Sequence, residues 1–154
     1  MNEIQIRRAR PEDLPILLEF EQGIIKTERP YDVTLVREEF NYYDLSKMIE
    51  SEEAEVVVAV SGGKLVGAGN ARIMSAKIYN QFEKYAFLGF MYVSPEHRGM
   101  GINKLIIKDL VEWARLKGLS EVRLQVYDEN KSAVAAYEKV GFKKLLTEMR
   151  LATD

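Results

Sequence analysis

Two glycines one residue apart, Gly99 and Gly101, stand between an apolar run that ends at Val93 and a periodic segment that starts near Asn103. A loop of this kind opening onto a helix exposes unpaired backbone N–H groups and the positive end of the helix dipole, which together attract an anion. Glycine lets a phosphate approach the main chain because it carries no side chain. The loop Arg98-Gly-Met-Gly-Ile-Asn103 is not a Walker loop, since no Gly-Lys-Ser/Thr follows. It also lacks the later acidic residue of a dinucleotide fingerprint. A second constellation lies downstream, where Asn130, Ala133, Tyr137, Gly141 and Phe142 recur at helical spacing. Asn130 suits a helix start, with Asp128 and Ser132 as rival caps, and Tyr137 is either a core aromatic or a phenolic proton donor. A third is the stretch Lys26 to Asp32, where Glu28, Tyr31 and Asp32 collect acid and aromatic groups suited to a cationic amine.

Other chemistries are excluded by composition. The chain has no cysteine, so no disulfide, thiolate nucleophile or Cys-based zinc site exists, and one histidine, His97, supports no His-rich metal cluster. No metal site is expected. The net charge of −2 with scattered basic residues leaves no electrostatic footprint for nucleic acid. No run approaches transmembrane length and the first residues lack a signal-peptide core, so a cytoplasmic protein without a membrane partner is expected. With 154 residues, 47% of them apolar, the chain is expected to fold as one domain, residues 1–154.

Hydrophobic periodicity supplies the elements that position these groups. Glu3 to Arg8 reads as a strand and Pro11 to Gly23 as a helix with Gly23 as its stop. Lys26 to Asp32 reads as a loop, and residues 34–43 and 44–51 as two short helices. Two β-branched runs flank Ser61-Gly62-Gly63, the signature of a hairpin. A strand over Ala86–Val93, a helix over Asn103–Lys117, a strand over 121–127, a helix over 131–140 and a last strand over 142–151 complete the order. The expectation is a single-domain α/β fold: a mixed, mostly antiparallel sheet with one parallel crossover and helices on both faces.

Phe87 to Phe142 resembles the GNAT superfamily of N-acetyltransferases, and the element order extends the resemblance over the whole chain. Arg98 and Gly101 match that family's loop pattern, while Asn103 replaces its final small residue; Asn130 to Phe142 matches its second motif. The resemblance implies acetyl-CoA as co-substrate. Its pyrophosphate would lie on the amides of Arg98, Gly99, Met100, Gly101, Ile102 and Asn103. Its pantetheine arm and thioester would lie along Met91, Tyr92 and Val93, with Asn130 on the arm and Tyr137 as acid for the leaving thiolate. The strand Ala86–Tyr92 carries no acid where many members have a glutamate, so the base stays open among Glu28, Asp32, Glu83 and His97. Glu28, Tyr31 and Asp32 lie where the family closes over its acceptor, a small-molecule or peptide amine. Without cysteine the transfer would be direct. A non-catalytic acyl-CoA-binding module of the same fold is the alternative, and a homodimer stays open.

Overall fold

The computed structural model describes residues 2–154. One sheet organises them, with strands β1 (Ile4–Arg8), β2 (Ala54–Ser61), β3 (Lys64–Ser75), β4 (Lys84–Val93) and β5 (Val122–Leu124) in that spatial order. Neighbours are antiparallel except β4 and β5, which run parallel across a helical crossover. The β2–β3 hairpin turns at Gly62 and Gly63, whose φ values of 56° and 80° meet the left-handed requirement of a tight turn. Helices α1 (Leu14–Glu28) and α2 (Leu45–Glu50) bury one face with Leu17, Phe20, Leu45 and Ile49. Helix α3 (Ile102–Leu116) buries the other with Ile106, Ile107 and Leu110, each 0% exposed and each contributing about 1.5–3 kcal/mol of apolar burial. Helix α4 (Lys131–Val140) ends at Gly141, φ 118°. No described helix is long and apolar enough to cross a membrane.

Four expectations from the sequence change. Helix α1 runs through Gly23 to Glu28 and continues as a 3-10 turn to Tyr31, so residues 26–31 are helical and not a loop. A Cβ on Gly23 would meet the Tyr92 ring at 2.9 Å; this glycine allows α1 to pack on β4 and does not stop the helix. Residues 34–43 form no helix. Side chains take over their main-chain groups: Arg29 donates to the carbonyls of Val36 and Glu38, Gln22 donates to that of Phe40, and Glu21 accepts from Tyr42 and Tyr43. The expected strand 121–127 is paired over three residues only. The expected last strand 142–151 pairs with nothing. Among the described residues its only backbone hydrogen bond is from the Phe142 N–H to Tyr137, and Leu145, Leu146, Met149 and Leu151 stay exposed. A three-residue edge offers too few ladder bonds to offset the entropy of ordering ten residues.

The feature that makes the site lies in β4. Its register with β3 steps from Gly69↔Met91 to Ala71↔Leu88, so Asn70 faces both Gly89 and Phe90 across a β-bulge. The extra residue reverses the faces: Leu88 packs with α3, whereas Phe90 packs with α1 and α2. Pairing with β5 also stops at Leu88↔Leu124, and beyond that point the two strands part. The bulge requires glycine, since a Cβ on Gly89 would lie 2.0 Å from Asn70 Oδ1 and 2.8 Å from the Tyr43 hydroxyl. Gly89→Ala is therefore expected to destabilise the protein by about 1–3 kcal/mol through overpacking. Urea denaturation would show the loss as a lower midpoint, and an unchanged midpoint would contradict it.

Candidate active site

Where β4 leaves β5, an open cleft of about 1900 Å³ runs between α1, β4, β5 and α4. Glu28 and Tyr31 enter from the end of α1 and the turn after it, Met91, Tyr92 and Val93 from β4, and Tyr137 from α4. Asn130 lies on the same wall as the N-cap of α4, where its Oδ1 accepts from the Ala133 N–H at 3.3 Å. The glycine loop borders a second cavity of about 360 Å³, lined by Gly99, Gly101, Asn103, Lys104, Ala136, Lys139 and Val140. Lys104 and Val140 line both spaces.

The loop has the form that an anion site needs. Gly99 and Gly101 both have φ of 78°, and a Cβ on either would meet nothing within 4 Å, so the main chain faces open space. Gly101 caps α3 in the left-handed conformation, and Lys104 and Lys139 add positive charge beside the helix start. The Asn103 carboxamide has a buried end with no hydrogen-bond partner. The Ile102 side chain is 1% exposed and Met100 faces solvent, and neither residue lines the cavity. Arg98 turns back, its Nε donating to the Val93 carbonyl at 3.1 Å. A pyrophosphate therefore fits the loop by main-chain N–H groups and lysines.

The electrostatics of the cleft centre on Glu28. Burial raises its carboxyl above the ordinary value; neighbouring Asp32 adds to the shift and Tyr42 opposes it. The half-buried Tyr137 ring packs edge-on against Phe142 at 6.0 Å, and its phenol is pushed up to about 12, first by burial and then by the Glu28 charge. Tyr43 and Tyr127 also rise to about 12, again mainly through burial. Tyr42 is raised by burial and by its interaction with Glu28. Asp32 differs. Its carboxylate accepts from the Thr34 N–H and hydroxyl and from the Tyr127 hydroxyl, and these bonds hold it below the usual range. Tyr127 in turn stacks on Tyr31 with ring centroids 6.0 Å apart. Asp32 thus links the loop after α1 to the far wall of the cleft, and Glu28 lines the same space from the end of α1.

Of the other base candidates, Glu83 and His97 do not line the cleft; His97 Nδ1 lies 2.9 Å from the Ser94 hydroxyl within the 3-10 turn after β4. Several groups that shape the site carry no pattern in the sequence. Glu21, 0% exposed, gathers the Tyr42 and Tyr43 N–H groups on one oxygen and so places both rings. Arg72, Tyr127, Lys104 and Lys139 are ordinary strand, loop or helix residues until the fold brings them together.

A parted strand pair and a glycine loop frame the cleft. The family model for acetyltransferase (GNAT) proteins matches residues 19–142, and the chain belongs to that family. A relative, the thialysine N-epsilon-acetyltransferase of Sus scrofa, is 31% identical over 152 residues, spanning 94% of this chain and 87% of that one. A variant of the BH1408 protein of Bacillus halodurans superposes with a TM-score of 0.85 at 19% identity, over 96% of this chain and 98% of that one. The aminoglycoside N-acetyltransferase AAC(6')-Iy in complex with CoA gives 0.75 at 16% identity, over 97% and 99%. At such identities the structural likeness is one of fold. The family and its relatives make this chain an N-acetyltransferase.

Glu21 is the test of how the acceptor side is held. Glu21→Ala leaves two buried N–H groups without an acceptor and should cost about 2 kcal/mol of stability. It should also raise the KM for the acceptor more than that for the acyl donor, because the Tyr42–Tyr43 wall loosens. Thermal denaturation and steady-state kinetics on one preparation read both effects.

Proposed function

We propose that this chain is a cytoplasmic, acetyl-CoA-dependent N-acetyltransferase that moves the acetyl group directly onto a primary amine. The observation that carries this reading is the placement of Glu28 and Tyr137 in one cleft, within electrostatic reach of each other, where β4 leaves β5. The donor's pyrophosphate lies on the amides of residues 98–103 and its arm beside Met91, Tyr92, Val93 and Asn130. The acceptor enters on the side of Glu28 and Tyr31, with Asp32 shaping that wall through Tyr127. The printed name of the pig relative, which describes an amine on a small molecule, supports an acceptor of that kind.

The chemistry follows from the charges. An attacking amine must be neutral, and Glu28, its pKa raised by burial, is suited to take the proton directly or through water. The amine lone pair forms the C–N bond and the thioester carbonyl becomes an oxyanion. Main-chain N–H groups that β5 does not occupy can stabilise it by about 3 kcal/mol. Collapse breaks the C–S bond, and the thiolate receives a hydrogen bond and then the proton from Tyr137. A phenol near 12 is a weak acid for this step, but part of its elevation comes from the negative charge on Glu28. Once Glu28 holds the amine's proton that part disappears, so the base step strengthens the acid just before it is needed. With no cysteine in the chain, no acyl-cysteine intermediate intervenes.

Two substitutions test this reading. Tyr137→Phe keeps the ring and removes the proton, so turnover should fall about tenfold or more with the acetyl-CoA KM little changed; unchanged turnover would return Tyr137 to a packing role. Gly101→Val places a β-branched residue at φ 78° beside the phosphate position, a local strain of roughly 1–3 kcal/mol. Calorimetry should show CoA binding lost while circular dichroism shows the fold kept, and wild-type affinity in this variant would remove the loop from the donor site.

A further inference from the structure

Arg72 is a cation without an anion. It lies on β3 opposite Phe87 of β4 and lines the same cleft as Glu28 and Tyr137. Its guanidinium carbon is 5.6 Å from the Tyr43 ring centroid and 5.7 Å from that of Phe87, so two aromatic rings fix its position. Its Nε is buried with no hydrogen-bond partner. Among the described residues no carboxylate forms an ion pair with it. The other half-buried arginine of the cleft, Arg123, is paired with Glu121 at 2.9 Å. A guanidinium half out of water and left unpaired is unfavourable unless a ligand completes it. Its flat fork fits a carboxylate or a phosphate through two parallel hydrogen bonds.

The disposition of charge says what such a ligand looks like. Beyond the effect of burial, the Tyr43 phenol feels Arg72, which favours its ionised form, and Glu28 and Glu21, which oppose it, so charges of both signs act at this part of the cleft. No ion pair joins Arg72 to Glu28, and Tyr43 lines the cleft together with both. A simple diamine would satisfy Glu28 and leave Arg72 bare. A molecule with an amine at one end and a carboxylate at the other satisfies both.

We propose that the acceptor is an amino acid or a close derivative, whose carboxylate is bound by Arg72 between Tyr43 and Phe87 while its amine lies at Glu28. This rests on the acetyl-transfer reading above and makes Arg72 the residue that determines acceptor class. The loop cavity at Gly99 and Gly101 has its own lysines for the donor's phosphates, which leaves Arg72 to the acceptor.

Matched pairs test it: lysine against cadaverine, ornithine against putrescine, and 2,4-diaminobutyrate against 1,3-diaminopropane, differing only in the carboxylate. Thiol release from acetyl-CoA is followed with the full chain and with Arg72→Gln and Arg72→Lys. The wild type should prefer at least one acid over its decarboxylated partner by tenfold or more in kcat/KM, and the best chain length reports the span from Arg72 to Glu28. Arg72→Gln should abolish that preference by raising the KM of the acid alone, with the acetyl-CoA KM and the melting temperature unchanged. Arg72→Lys should fall between. Diamines used as well as the acids, or an Arg72→Gln loss shared equally by both members of a pair, overturns the carboxylate site and leaves acetyl transfer standing. A loss confined to acetyl-CoA would assign Arg72 to the donor and likewise overturn it. Calorimetry of the same pairs on the CoA-bound protein answers separately from turnover. Binding of an acid that vanishes in Arg72→Gln supports the site, and absence of binding by all three acids overturns it. Turnover of no amine at all would instead count against the acetyl-transfer reading.

Discussion

The site depends on the close approach of the Asn70 carboxamide to Gly89. That contact leaves no room for a side chain on β4, places two β4 residues opposite one on β3, and reverses the strand's faces between Leu88 and Phe90. A strand that reverses its faces cannot stay in register with both neighbours. Here the antiparallel side, with the longer ladder, keeps its pairing, and the parallel side opens after Leu88. The cleft is the consequence. Both polar atoms of Asn70 are buried without partners, a cost the surrounding core must carry.

Around that opening the chain distributes its tasks by element. Helix α3, with a fully apolar inner stripe and a left-handed glycine at its start, is a rigid platform that holds the glycine loop. Helix α1 reaches more than a turn further than a glycine stop would allow and delivers Glu28 to the cleft from regular secondary structure, which fixes a carboxylate better than a loop does. The segment after it is irregular yet held: Arg29, Gln22 and Glu21 bind its main chain, and Asp32 binds Tyr127 across the cleft. This explains how a polar stretch with little secondary structure can still set a substrate wall.

The glycine-loop side of the cleft was largely legible in the sequence. Glycines at 99 and 101, the helix that follows, and the spacing from Asn130 to Phe142 are local patterns, and local patterns survive without knowledge of the fold. The remainder was less so. Gly23 looks like a helix stop because its real reason, the Tyr92 ring against α1, is a contact between residues 69 apart in sequence. Residues 34–43 carry a helical pattern of apolar positions, but side chains from α1 capture their backbone groups first. The terminal run 142–151 alternates like a strand and has no edge long enough to join. Arg72, Asn70 and Glu21 have no signature of their own, since a buried polar residue is defined by its partners or by their lack.

The central claim is that Glu28 and Tyr137 are coupled across one cleft, so that the proton state of one sets the acidity of the other. It is tested most directly by an NMR titration that follows the Glu28 side-chain carboxyl and the Tyr137 ring in the same sample. Burial favours the neutral carboxyl, so Glu28 should lose its proton at a pH above the ordinary glutamate value of 4.5. The Tyr137 ring resonance should shift with the same midpoint and lose that inflection in Glu28→Gln. A Glu28 that titrates at the ordinary value, with a Tyr137 ring indifferent to it, would contradict the account.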